Sequence, residues 1–308
     1  MTSNSKGRKL VLLLALLTLF CPLAFSQTPS GKRYHSVSMT PVHIHIEPVA
    51  FDSRNQPEVD LRPTIHKMEI PIRNQGNRGT CSIFATTFLI DYMYAKDRDV
   101  KHELFSEEYL NDVKNLATGD DWDGGMFTDI YTGFEKYGIV KLDLDRYRET
   151  FNPAEKVSKD LLSDGEKFTP RFKAKWIKVW NNTTGLEPSE LSAVLDELRK
   201  GVPVATGLRW PNNFETETIK GIPVMKTPGP NGVTDGHSIA FVGFKKDAAF
   251  PGGGYLIFRN SWGKSFQEDG YGYMPFKFAM KYANDIVKYV PPKEFTPPHP
   301  PHAGQPRI

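Results

Sequence analysis

Apolar side chains recur every three or four residues from Cys81 to about Ala95, at Phe84, Phe88, Leu89, Tyr92 and Met93. That spacing predicts a helix. Phe105 to Leu116 and Phe127 to Tyr137 repeat it, with Ser106 placed to cap the first of the two, and Ser189 to Lys200 forms a further helix ending at Gly201. After that the period changes. Val202 to Leu208, His237 to Phe244 and Tyr255 to Asn260 read as strands, and the segment 237–244 is apolar on both faces, as a strand inside a sheet would be. A helical first half followed by a strand-rich second half predicts an α+β protein with a cleft between two lobes. We place a helical lobe at about 59–175 and a strand-rich lobe at about 176–290.

The ends differ from this core. Residues 1–26 hold Lys6, Arg8 and Lys9, an apolar run from Leu10 to Phe20, and Ala24-Phe25-Ser26 before Gln27, which is the layout of an export signal. The apolar run is shorter than the roughly 20 residues of a comfortable membrane span; an uncleaved anchor is the alternative. Residues 27–58 form a polar extension whose one alternating patch, Val42 to Ile46, carries His43 and His45 and fits an exposed edge strand better than a metal site. Residues 291–308 are Pro-rich and lack core-forming side chains, which predicts a disordered tail.

Charge changes the picture once the signal is set aside. Three of the 39 basic residues lie in it, leaving 36 basic against 36 acidic residues. A neutral mature chain gives no electrostatic reason to expect nucleic acid or an anionic membrane as partner, and localisation is expected to be secreted or periplasmic. Cys21 would leave with the signal, so Cys81 would be the one remaining thiol, with no partner for an internal disulfide. Such a thiol is either a small buried apolar group or a reactive one.

Its surroundings favour reactivity. Asn74-Gln75-Gly76-Asn77-Arg78-Gly79-Thr80-Cys81 is a loop running into a helix, which puts Cys81 in the first turn. Unpaired N–H groups there stabilise a thiolate and lower its pKa. Gln75, on a loop that two glycines let fold back, can donate to an oxyanion beside Cys81; a solvated loop residue is the plainer reading. Of eight histidines, His237 alone opens a dense apolar strand. If 237–244 and 254–260 pair as a hairpin with Gly243 opposite Gly254, His237 falls opposite Asn260, and an amide there can set its tautomer and direction.

These segments resemble the papain-like cysteine peptidase family. The loop N-Q-G-x-x-G-x-C at 74–81, the strand G-H-x-I-x-x-V-G-F at 236–244 and the turn R-N-S-W-G at 259–263 match its nucleophile, histidine and asparagine signatures in the family's order. The likeness runs from about Asp60 to Phe276. It implies a two-lobed fold with a helical first lobe, an antiparallel β-barrel-like second lobe and the active site between them. It further implies Cys81 as nucleophile, His237 as base and later acid, Asn260 as the orienting amide and Gln75 as oxyanion donor. Trp262 would shield the histidine–asparagine pair, Gly124 and Gly125 would line the cleft wall against substrate backbone, and Met126 would border the neighbouring pocket. Hydrolysis of peptide or protein substrates through a thioester is the implied reaction, with no metal or organic cofactor; a monomer is the default. Transpeptidation or exopeptidase action at the same site, and a non-catalytic binding module, are the alternatives.

The chain departs from the family pattern at three places. Arg78 stands where a disulfide-bonded cysteine is common, Ser82 replaces an aromatic residue, and Phe266 stands where a second Trp is frequent. The missing crosslink, about 2–4 kcal/mol, is expected to be offset by packing. The roughly 33 residues between the cleavage site and Asp60 are too few for the family's long inhibitory propeptide.

Overall fold

A computed structural model describes residues 56–167 and 172–291. The export signal, nearly all of the 27–58 extension with its His43 and His45, and the tail beyond Pro291 lie outside the described residues. In chain order the elements are β1 (Val59–Asp60), α1 (Arg62–Lys67), α2 (Cys81–Arg98), α3 (Glu107–Thr118), α4 (Phe127–Tyr137), α5 (Lys159–Lys167), β2 (Lys173–Lys178), α6 (Pro188–Arg199), β3 (Val204–Pro211), β4 (Thr216–Ile219), β5 (Ile222–Met225), β6 (Val233–Lys246), β7 (Gly254–Arg259), β8 (Tyr271–Pro275), α7 (Phe276–Tyr282) and β9 (Ile286–Val290).

The expected helices form for local reasons. Ser106 caps α3, its hydroxyl accepting the Tyr109 N–H at 2.9 Å, while Glu107 and Glu108 set negative charge against the positive end of the helix. Glu187 and Glu190 form a capping box at the start of α6, with Pro188 at its first position. Helix α2 is mostly apolar on every side, and its side chains from Cys81 to Met93, Asp91 among them, are buried without interruption. Such a helix is stable only inside the protein, and α2 accordingly lies against β6, β3 and β9.

The strands form one sheet in the order β2-β9-β3-β6-β7-β8-β5-β4, with β1 added to β6. All neighbours are antiparallel except β5 and β8. As its apolar pattern requires, β6 is interior, held between β3 and β7. Short elements without a strong pattern escaped the sequence: α5, α7, β2, β9 and the β4–β5 hairpin, whose turn residues Lys220 and Gly221 both have positive φ.

The β6–β7 pairing corrects the expected register. Gly243 stands opposite Ile257, and Gly254 opposite Lys246. The ladder also slips between Phe241 and Gly243, ending with Ala240 opposite Arg259. An extra residue at Val242 causes the slip, a bulge that no period-two reading registers. Extending the ladder, Asn260 stands across from Ile239, so His237 is its diagonal neighbour on the same face, not its direct partner.

Candidate active site

Three segments meet at the start of α2: the loop before Cys81, the beginning of β6, and the turn after β7. The loop and the turn are stitched together by the main chain. Gln75 N–H donates to Ser261 O at 2.8 Å, Gly263 N–H to Arg73 O at 3.1 Å, and Asn74 bridges to Trp262. Within the loop, Asn74 Oδ1 accepts the Gly76 N–H at 2.9 Å, a side-chain turn that folds the chain back toward Cys81.

His237 and Asn260 come together despite the altered register. His237 Nε2 lies 2.9 Å from Asn260 Oδ1, and the same oxygen accepts the Ser261 N–H at 2.8 Å. A main-chain N–H identifies that amide atom as the oxygen, which can only accept. Nε2 of the neutral ring therefore carries the proton. Nδ1 is buried and has no hydrogen-bond partner, so its lone pair is available. The imidazole stacks on Trp262 with centroids 4.6 Å apart, and Trp210 meets it edge-on at 4.6 Å. Phe266 closes over Trp262 at 5.3 Å. Trp262 thus lies on the face of the His237 ring and Trp210 against its edge; Trp210 lies just past the strand expected at 202–208 and had no sequence signal of its own.

Cys81 is the first residue of α2, 3% exposed, and its thiol donates to Gly236 O at 3.7 Å. Burial pushes this thiol up from its ordinary pKa. Hydrogen bonds from the Ser238 main chain and side chain, and from the N–H groups of Ser82 and Cys81, oppose burial without overcoming it. The expected lowering by the helix start is therefore outweighed. Burial likewise pushes the His237 imidazole down to about 4, with the Asn260 bond pulling the other way. Burial thus disfavours the thiolate and the imidazolium taken singly, because each charge on its own would be stranded away from water.

Gln75 is buried, with both ends of its amide engaged. Oε1 accepts from the Ser261 hydroxyl at 2.5 Å, and Nε2 donates to Arg78 O at 2.8 Å. An amide nitrogen carries two hydrogens, so one N–H is left over. Gly124 lies against the same loop: a Cβ there would sit 2.3 Å from Gly79 O, and its φ is +67°. Close approach, more than turn formation, is what requires glycine at this position. Gly125 is exposed beside it, and Met126 caps α4, half-buried. The carboxyl oxygens of Asp123 engage Arg78, which carries the nucleophile loop to this wall. An ion pair thus starts from the position where the resemblance led a disulfide-bonded cysteine to be expected. Its value is geometric more than energetic, since desolvation takes back much of the attraction of a buried pair.

The sequence motifs therefore converge: Gln75, Cys81, His237, Asn260 and Trp262 share one site, with Gly124 and Gly125 against its rim. Ser261, Ser238, Trp210 and Arg78 join them without having been singled out as site residues. Ser261 and Ser238 immediately follow Asn260 and His237, which was the one available hint.

A sequence model described as "Papain family cysteine protease" matches residues 55–286. Among solved structures, the chain is similar to xylellain, a cysteine protease from Xylella fastidiosa, at a TM-score of 0.60 and 20% identity, over 85% of this chain and 100% of that one. It is also similar to digestive procathepsin L 3 of Tenebrio molitor (TM-score 0.56, 19% identity, 78% and 72% covered). Bromelain from Ananas comosus is a third (TM-score 0.54, 18% identity, 76% and 98% covered). Identities this low speak for the fold alone. No curated protein matches the chain in a sequence search.

Proposed function

This chain belongs to the papain family of cysteine proteases, and from that premise we propose that Cys81, His237 and Asn260 form its catalytic triad, with Gln75 as an oxyanion donor. It is a papain-like cysteine peptidase, and its substrates are peptides or proteins. The observation that carries the assignment is the state of His237. One ring nitrogen is anchored to Asn260, the other is buried with its lone pair unengaged, and the Cys81 thiol lies against Gly236, the residue next to this histidine.

The reaction follows from these positions. Cys81 sulfur attacks the substrate carbonyl carbon as its proton passes to His237 Nδ1. The transfer creates two opposite charges side by side, so neither stands alone away from water. The carbonyl oxygen becomes an oxyanion that accepts from the remaining Gln75 N–H and the Cys81 N–H. On collapse the C–N bond breaks, and His237 protonates the departing amine. Water then attacks the thioester, giving its proton to His237, and the thiol is regenerated with release of the acid. Trp262 and Trp210 keep water from the His237–Asn260 bond throughout.

Export is part of this reading, supported by the basic, apolar and small-residue order of residues 1–26. N-terminal sequencing of the protein recovered from a secreting host tests it, with Gln27 as the expected first residue.

The alkylation rate of Cys81 against pH, in wild type and His237→Ala, tests the triad. The expected result is wild-type alkylation that persists well below the free-thiol value of about 8.5 and is lost in the variant. Two superimposed free-thiol curves would overturn the triad and favour a non-catalytic binding module.

A further inference from the structure

Arg78 precedes the nucleophile by three residues and is almost wholly buried. A buried guanidinium needs partners for its five N–H donors, and the partners here come from three separate segments. Nη2 and Nε form a fork on Asp123 at 2.7 and 3.1 Å. Nη1 donates to Glu108 Oε2 of α3 at 2.5 Å and to Arg148 O at 2.9 Å. The flat face lies over the Tyr147 ring at 4.5 Å, and the Tyr147 hydroxyl donates to Gln75 O at 2.9 Å.

The main chain of the same residue faces the chemistry, since Arg78 O accepts the Gln75 side-chain amide at 2.8 Å. On the opposite arm, Asp123 leads directly into Gly124. The Gly124 N–H is held by Asn111 Oδ1 at 2.9 Å, while Asn111 Nδ2 reaches Asp123 at 3.3 Å. One residue therefore refers two parts of the cleft to a single point: the amide proposed to hold the oxyanion, and the glycine pair proposed to hold substrate backbone.

We propose that Arg78 is a positioning residue that sets the spacing between the Gln75 amide and the Gly124–Gly125 wall around Cys81. The proposal rests on the peptidase reading above. Lysine keeps the charge but not the fork, and it has no planar face for Tyr147, so Arg78→Lys isolates the geometric role. Misplacement on this scale costs about 100-fold in rate when it reaches the reacting groups.

Two readouts separate positioning from general destabilisation. Iodoacetamide alkylation reports the thiol and its base, because substitution at a saturated carbon forms no oxyanion and uses no backbone wall. Hydrolysis of an extended fluorogenic peptide requires both. We expect Arg78→Lys to lower kcat/KM for the peptide about 100-fold while alkylation stays close to wild type. Asp123→Asn, which loosens only the wall arm, should raise KM more than it lowers kcat. Unchanged hydrolysis in Arg78→Lys, or alkylation and hydrolysis falling in parallel with Tm, would overturn the proposal. Should Arg78→Lys not fold, the KM-against-kcat split in Asp123→Asn decides, and an equal fall in both readouts overturns it. Wild-type protein that neither alkylates at low pH nor hydrolyses peptides overturns the peptidase reading itself, a result distinct from failure of the Arg78 variants alone.

Discussion

The Ser261 hydroxyl donates to Oε1 of Gln75 at 2.5 Å, joining residues 186 positions apart. That bond and the one from Nε2 to Arg78 O leave the glutamine amide only one orientation, with an N–H to spare. Gln75→Ala should therefore lower kcat by about 10²–10³, the usual consequence of removing one oxyanion donor. Alkylation by iodoacetamide should be unaffected. Ser261→Ala, which frees the amide to rotate, should cost a smaller part of the same loss. Saturation kinetics on a peptide and second-order alkylation rates check both variants.

The role proposed for Asn260 runs through its bond to His237. Asn260→Ala should lower kcat about 100-fold, the order of a general acid–base contribution, with KM little changed, because the imidazole loses its direction while the cleft is intact. Asn260→Asp should raise the His237 pKa above its present value of about 4, since a carboxylate stabilises the imidazolium. Titration of the ring by NMR reads this shift directly.

Trp262 stacks on the ring of His237. Trp262→Ala should let water reach it and move its pKa up toward the ordinary value near 6.5. The same variant should lose about 3–5 kcal/mol of stability through the cavity left behind. NMR titration and urea unfolding measure the two effects separately. A stability loss without a pKa shift would show that Trp262 packs the core and does not shield the histidine.

Asp285 gives the fold a pH dependence away from the site. It is buried, its Oδ1 accepts the Gly207 N–H at 2.6 Å, and burial pushes its carboxyl up to about 7, with the Gly207 bond and Lys178 opposing. The unfolded value is near 3.9. Between these limits the folded chain binds a proton that the unfolded chain does not, so stability rises as pH falls. The slope is at most about 1.4 kcal/mol per pH unit, and the contribution is lost as pH rises through 7. Asp285→Asn should flatten this part of the curve in denaturant unfolding measured from pH 4.5 to 8.

Helices α2, α3, α4 and α6 were legible because their determinants lie within a few residues: spacing, Ser106, Gly201. The catalytic candidates were legible for the same reason, as each sits in a short motif with a distinctive neighbour. The β6–β7 register was not: β6 runs on to Lys246 opposite Gly254, which offsets the ladder by three residues at the turn, and the bulged residue at Val242 then shifts it back by one. Nor was the thiol's state, which a helix start alone would have lowered. Burial decides it, and burial depends on what the rest of the chain places around Cys81.

By itself the sequence determined which segments coil, which extend and where the candidate catalytic side chains lie along the chain, since propensity, periodicity and capping act over one or two turns of chain. Only the tertiary structure decided that Ser261 orients Gln75, that Arg78 joins the nucleophile loop to Asp123 and Glu108, and that His237 meets Asn260 on the diagonal. Those relationships depend on distances between segments far apart in the chain. A buried donor or acceptor finds its partner from whatever packing brings near, and no local pattern records that choice.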